Sequence, residues 1–199
     1  RRNLDCQLLL FNNEIYGLTK GQYSPTSRVG TRSPSTPFGS VDRPVNPCSF
    51  ALGSGARFVA RGIDVHKNLV DVLKAAHAHK GASFVEIYQN CVVYNDDVFA
   101  PFTSKEVAAD KQLWLVAGEK MLFAGGTKGL ALDMERHMLK VVDGDSDEVI
   151  VHNPRNRAIA YMLAEMPAAS FPVALGVIYE DPAATFDSAV IEQNEAAAK

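Results

Sequence analysis

The sequence predicts an α/β fold, with a mostly parallel sheet flanked by helices over residues 1–98 and a small C-terminal α+β appendage and tail over residues 99–199. Leu4 to Phe11 (LDCQLLLF) is a nearly continuous apolar run, the pattern of a strand covered on both faces in a parallel sheet. From there the order strand, loop, helix, strand, helix, strand is the one that right-handed crossovers between parallel strands require. After about Phe99 that alternation gives way to shorter strand-like runs and a polar helix.

The first strand ends at Asn12-Asn13. From Gly17 to Pro47 the chain is rich in Gly, Ser, Thr, Pro and Asn with little periodicity, and a loop of that length inside a compact domain usually carries function. Pro47 opens a helix capped by Asn46 and stopped by Gly53 and Gly55. A strand follows at Arg57–Ala60. Asp64 is expected to cap a helix whose apolar positions are Leu69, Val70, Leu73, Ala76 and Ala78, with Gly81 ending it. Ser83–Tyr88 (SFVEIY) is the next strand. Beyond it the sequence suggests a helix over Ser104–Trp114 and strands near Met121–Ala124, Leu130–Asp133 and Met138–Val142. An acidic turn at Asp143–Glu148 leads to Val149–His152, a helix over Pro154–Glu165, a last strand at Pro172–Ile178, and a tail frayed from Glu192.

With 47% hydrophobic and 22% charged residues the chain has material for a real core. Its net charge of -3, from 23 acids and 20 bases with no long run of one sign, argues against nucleic acid or an anionic membrane as partner. There is no apolar stretch of about 18 residues and no signal-peptide pattern, so a cytoplasmic protein is expected. Cys6, Cys48 and Cys91 are odd in number and widely spaced, which fits neither a disulfide framework nor a self-contained zinc site; buried thiols are the simple expectation. The chain starts at Arg1 and enters a strand almost at once, which suggests missing upstream sequence.

Asn12-Asn13-Glu14-Ile15-Tyr16-Gly17 follows directly on a strand, at the carboxyl edge where α/β sheets bind ligands. Two readings stand side by side: the asparagines form a turn with their own backbone, or a neutral amide oxygen and a backbone carbonyl offer hard ligands to Mg²⁺. His66, His77 and His79 lie on or near one helix but point in different directions, and are expected at the surface. Asp143, Asp145, Asp147 and Glu148 lack the glycine and flanking helices of a calcium loop and are expected to form a solvated turn. Gly53-Ser54-Gly55 lacks the spacing of a nucleotide loop and is a helix stop.

Longer strings carry a resemblance. Phe11 to Gln22 (FNNEIYGLTKGQ), Tyr23-Ser24-Pro25-Thr26, Ser35 to Ser40 (STPFGS), Arg43-Pro44 to Pro47, Phe58 to Arg61 and Glu86 to Cys91 (EIYQNC) together resemble the beta subunits of 2-oxoacid:ferredoxin oxidoreductases, strongly over Leu4 to Asp97 and weakly beyond. The resemblance implies a thiamine-diphosphate-binding fold, of which residues 1–98 are the C-terminal part. It implies Mg²⁺ held by the Asn13 side chain and the Ile15 carbonyl, together with an aspartate of a GDG sequence upstream of this chain. Thiamine diphosphate would then lie against Asn13, Ile15, Tyr16, Gly17, Leu18 and Thr19, with Leu18, Thr19 and Lys20 on the substrate side of the loop. Cys91 matches the fourth ligand of a [4Fe-4S] cluster whose other cysteines lie upstream, whereas Cys6 and Cys48 match none.

The activity implied is CoA-dependent oxidative decarboxylation of a 2-oxoacid, with electrons passing to ferredoxin and a partner alpha subunit completing the cofactor site. Leu18 and Lys20 favour 2-oxoglutarate, because a lysine offers a charge-assisted hydrogen bond to a distal carboxylate; an ordinary solvated loop lysine is the plainer account of Lys20. Arg28, Arg32, Arg43 and Arg61 are weaker candidates for phosphate or acid contacts. A pyruvate or branched-chain 2-oxoacid oxidoreductase, and a cofactor-free scaffold that keeps the fold, are the alternatives.

Overall fold

Three six-residue strands, β1 (Gln7–Asn12), β2 (Phe58–Ile63) and β3 (Ser83–Tyr88), run parallel in the spatial order β1-β3-β2 in the computed structural model, which describes residues 2–198. Their starts are aligned, with Ser83 opposite both Gln7 and Phe58, so their carboxyl ends meet at one edge, where Tyr88 lies opposite Asn12 and Ile63. Between them run α1 (Pro47–Gly53) and α2 (Leu69–Ala78). Asn46 caps α1 as expected, its side-chain oxygen accepting from Ser49 N at 3.1 Å with Pro47 in the first turn. Asp64 does not cap α2. Its carboxylate accepts from the adjacent Val65 N at 2.8 Å, turns occupy the next residues, and α2 starts only after Asn68.

Strand β2 is buried along its whole length, but β1 is not covered on both faces as its composition suggested. Among the described residues it has one neighbour, β3, and Leu8, Leu9, Leu10 and Phe11 are all exposed, while Asn12 at its end is buried. The apolar run thus makes an open sheet edge.

The second half of the chain continues the same sheet. After two short turns of helix, α3 (Ala100–Thr103) and α4 (Ala108–Lys111), comes β4 (Gln112–Leu115), where the sequence suggested the end of a helix. The period-two burial of Leu113 and Leu115 decides this: β4 pairs in parallel with β8 (Val173–Glu180), and β8 pairs antiparallel with β2. The resulting order, β1-β3-β2-β8-β4, crosses the boundary expected near residue 98. What stands apart is an antiparallel sheet of β5 (Leu122–Phe123), β6 (Lys128–Asp133) and β7 (Met138–Asp143). A bulge between Val59 and Ala60 accommodates β8, in which Gly176 has φ +95°; a Cβ there would stand 2.9 Å from the Leu115 carbonyl oxygen. Helix α5 (Arg157–Ala164) covers this region with α1, and the two share a core of Leu52, Leu113, Leu163 and Ile178. The last helix, α6 (Phe186–Ala197), is capped by Thr185 and runs on through the segment expected to fray.

Several polar side chains depart from expectation. Cys6 is exposed and Cys91 partly so, and only Cys48 is fully buried. His79 is buried rather than at the surface, because α2 ends over β2 and sets its ring 5.3 Å from that of Phe58. His66 stacks on Trp114 at 4.3 Å. His152 is buried, its Nε2 donating to the Val177 carbonyl at 2.8 Å, and burial holds its imidazole below the ordinary histidine range. The folded state therefore favours the neutral ring. That contribution is complete above the unfolded pKa of about 6.5 and is lost as pH falls through the lower folded value. Thermal unfolding followed from about pH 7 down to about pH 5 is expected to give a falling midpoint that flattens in His152→Leu; equal slopes in the two proteins would contradict this.

Candidate functional site

Hydrogen bonding separates the two asparagines. Asn12, the last residue of β1, is bonded to β3, and Asn13, the first residue beyond the strand, bonds only within the turn and to Asn95. Asn12 Nδ2 donates to Glu86 Oε1 at 2.8 Å, and its Oδ1 accepts from Thr26 Oγ1 at 2.8 Å and from Glu14 N at 3.1 Å. Glu86 is buried on β3 and its other oxygen accepts from Arg61 Nε at 2.7 Å; Arg61, opposite it on β2, is also buried. Arg61 extends to Asn46 Oδ1 at 3.4 Å and lies over the Tyr88 ring, 5.6 Å from its centroid. Cys48 contacts Glu86 Oε2 at 3.4 Å, and burial pushes its thiol well above the ordinary range.

Above this network the chain makes a strained turn. Glu14 has φ +55°, in the left-handed region. It is fixed by Arg28, 2.9 Å from its carboxylate, and by the Ser27 hydroxyl, which donates to its carbonyl. Burial raises the Glu14 pKa, and Arg28 opposes the rise. Together Asn12, Glu14, Thr26, Arg28, Arg61, Glu86 and Tyr88 line one side of a cavity of about 500 Å³, closed on the other by Phe99, Phe102 and the end of α5.

Asn13 and Ile15 face a second cavity of about 400 Å³, with Tyr16, Ser24 and Phe50. Asn13 Oδ1 accepts from Ile15 N at 3.3 Å, and Asn95 Nδ2 donates to the Asn13 carbonyl at 2.8 Å. Ile15 is buried, yet among the described residues no donor reaches its carbonyl oxygen. The carbonyl of a buried residue with no donor among the described residues, two residues from an amide oxygen that accepts one bond, is a donor set that a hard divalent cation satisfies. The residues present therefore fit two ligands for Mg²⁺.

The loop then folds back on itself. Tyr16 N donates to the Gln22 carbonyl at 2.8 Å, and Gly21, at φ +89°, returns a bond to the Tyr16 carbonyl at 3.0 Å. Gly17 lies against Cys91, whose sulfur is 3.6 Å from where a Gly17 Cβ would stand, and against the Tyr94 ring. Leu18 is fully exposed, the Thr19 hydroxyl donates to the Tyr16 carbonyl at 3.4 Å, and Lys20 is exposed with φ +69°. These three line neither cavity. Among the described residues no group of three or more His, Cys, Asp or Glu side chains gathers at a metal-binding spacing, so a cluster at Cys91 needs thiolates beyond these.

Of the weaker arginine candidates, Arg61 is committed to Glu86, and Arg28 is paired with Glu14 and donates to the Val98 carbonyl at 2.8 Å. The sequence reading gave Thr26 and Glu86 no role of their own and did not separate Asn12 from Asn13. The available signal was a charged residue at the fourth position of each of two strands otherwise made mostly of apolar and small residues, FVARGI and SFVEIY.

Residues 1–87 match the family described as thiamine pyrophosphate enzyme, C-terminal TPP binding domain. The parallel strands with an asparagine-bearing turn at their carboxyl edge thus define a thiamine diphosphate (pyrophosphate) enzyme domain. The chain is 41% identical, over 99% of its own length and 54% of the relative's, to 2-oxoglutarate oxidoreductase subunit KorB of Mycobacterium tuberculosis. It is 47% identical, over 51% of its length and 32% of the relative's, to 2-oxoacid:ferredoxin oxidoreductase 1, subunit beta, of Aeropyrum pernix. The solved 2-oxoglutarate:ferredoxin oxidoreductase from Magnetococcus marinus, with 2-oxoglutarate, coenzyme A and succinyl-CoA bound, superposes with a TM-score of 0.71 at 26% identity, covering 100% of this chain and 55% of that one. The chain is thus similar to beta subunits of 2-oxoacid:ferredoxin oxidoreductases, and it spans about half the length of the Mycobacterium relative and of the solved protein. The similarity to the Mycobacterium subunit continues through the second half, where the sequence alone gave only a weak resemblance.

Proposed function

We propose that this chain contributes the diphosphate-binding half of the active site of a cytoplasmic 2-oxoglutarate:ferredoxin oxidoreductase, which converts a 2-oxoacid and coenzyme A to the acyl-CoA and CO₂ and reduces ferredoxin. The observation that carries this reading is the turn after β1, where the Asn13 amide oxygen and the unpartnered Ile15 carbonyl stand two residues apart while Cys91 packs against Gly17 of the same loop. Asn13 and Ile15 would ligate Mg²⁺, and Tyr16 to Thr19 would lie along the cofactor. Thiamine diphosphate, when bound, supplies the carbon nucleophile and the electron sink for decarboxylation. Cys91 would be one thiolate of a [4Fe-4S] cluster beside that loop, with an alpha subunit completing the substrate and cofactor sites.

The protein's own work here is positional. The β-strand carboxyl edge and the Asn12 network fix the turn, Gly17 leaves room for Cys91, and the backbone of Tyr16 to Gly21 closes the loop without secondary structure. Lys20, exposed on that loop, would meet the distal carboxylate of 2-oxoglutarate. The test is dye or ferredoxin reduction by the assembled oxidoreductase, dependent on both 2-oxoglutarate and coenzyme A. Lys20→Asn, whose new side chain tolerates the left-handed backbone, is expected to lower kcat/KM for 2-oxoglutarate by roughly tenfold or more, with a smaller effect on pyruvate. Equal losses on the two acids would remove Lys20 from substrate recognition, and reduction independent of coenzyme A would overturn the assigned reaction.

A further inference from the structure

The two consecutive asparagines do different work: Asn12 Oδ1 already accepts two hydrogen bonds, and only Asn13 Oδ1, with one, keeps an acceptor position for the proposed cation. Asn12 is buried, and its three side-chain bonds, of 2.8, 2.8 and 3.1 Å, run to three different parts of the fold: Glu86 on β3, Thr26 in the long loop and Glu14 N in the turn itself. Glu86 is in turn tied to Arg61 on β2. A buried carboxylate with a buried guanidinium is an expensive pair to keep, and hydrophobic replacements often serve stability as well or better. Its place two residues before the strand ends, bonded to the asparagine that precedes the turn, fits a task in geometry. That turn needs holding, because Glu14 sits at φ +55° without being glycine, a conformation that costs of order 1 kcal/mol or more unless its surroundings impose it. The bond from Glu14 N to Asn12 Oδ1 closes a turn over Asn13 and holds the chain where it enters the strained residue.

We propose that Asn12, held by Glu86 and Thr26, is the positioning residue of the divalent-cation turn, fixing the left-handed Glu14 so that the Asn13 side-chain oxygen and the Ile15 carbonyl converge on one ion. This rests on the reading of Asn13 and Ile15 as cation ligands. Asn12 itself does not touch the ion; it acts as hydrogen-bonded partners of ligands do at other metal sites, where their loss costs about 10- to 100-fold in affinity.

The test uses Mn²⁺ as the probe, titrated in the presence of thiamine diphosphate into the assembled oxidoreductase and followed by the electron paramagnetic resonance signal of free Mn²⁺. Thermal unfolding of each variant is measured alongside. Asn13→Ala reports on the underlying reading, and Asn12→Ala and Thr26→Val report on the positioning role. Thr26→Val is close to isosteric and keeps the protein folded even if Asn12→Ala does not. The expected result is Mn²⁺ affinity lowered about tenfold or more by Asn12→Ala and severalfold by Thr26→Val, in protein that remains folded at the assay temperature. If Asn13→Ala weakens Mn²⁺ binding while folded Asn12→Ala and Thr26→Val bind as the parent does, the positioning role is overturned and the ligand assignment stands. If Asn13→Ala binds Mn²⁺ as tightly as the parent, the ligand assignment itself falls, and the positioning role with it.

Discussion

Arg61→Met is expected to destabilise the protein by about 3–5 kcal/mol, the usual cost of stripping one partner from a buried ion pair. Its guanidinium is buried on β2, 2.7 Å from Glu86, whose other oxygen holds Asn12, and the pair lies two residues before β2 and β3 end. Removing Arg61 leaves the Glu86 carboxylate in the core with a thiol and an amide as its remaining partners, and neither balances a charge. Against a typical total stability of about 5–15 kcal/mol, that loss is a large fraction. The double change Arg61→Met with Glu86→Leu is expected to recover at least half of it, because no buried charge remains; Asn12 Nδ2 then lacks its acceptor, so recovery is incomplete. Denaturant unfolding of the parent, the two single variants and the double variant gives the cycle. Additive losses would mean that the pair is not coupled as its geometry requires.

Asn13→Ala is expected to weaken Mg²⁺-dependent binding of thiamine diphosphate by at least about 30-fold, in protein whose folding is little changed. Mg²⁺ takes few protein ligands and demands near-octahedral geometry, so the loss of one amide oxygen is not readily replaced. Asn13 is only partly buried, and its Oδ1 holds a single local bond of 3.3 Å to Ile15 N, so truncation disturbs little else. The contrast with Arg61→Met separates the two layers of the site: one change acts on the fold, the other on the cofactor. Isothermal titration of the cofactor with and without Mg²⁺ reads the difference, and an Asn13→Ala protein that binds as the parent does would remove Asn13 from the cation site.

Much of this architecture was legible in the sequence, for reasons that differ from element to element. β2 and β3 were readable because short apolar runs between helix stops leave few alternatives, and α1 because Asn46-Pro47 and Gly53 mark its two ends. β1 was readable as a strand but not as an edge, since an apolar run does not state how many neighbours it has. β4 was hidden because four residues directly after a helical turn look like its continuation; what decides the matter is a partner, β8, some sixty residues away in the chain, which lies beyond any local pattern. The turn that bears Asn13 and Ile15 was recognisable from its string of residues. The part played by Asn12 was not, because two identical neighbours differ only in the partners each meets, and those of Asn12 come from β3 and, through Glu86, from β2, far away in the chain.

The central claim, that the turn after β1 is half of a thiamine diphosphate site completed by other chain segments, is tested most directly by one calorimetric measurement. Thiamine diphosphate with Mg²⁺ is titrated into this chain alone and into the assembled oxidoreductase that contains it. Saturable, Mg²⁺-dependent binding in the assembly, with little or none in the isolated chain, is the expected result. No binding in the assembly would contradict the claim and leave a domain that keeps the fold without the cofactor.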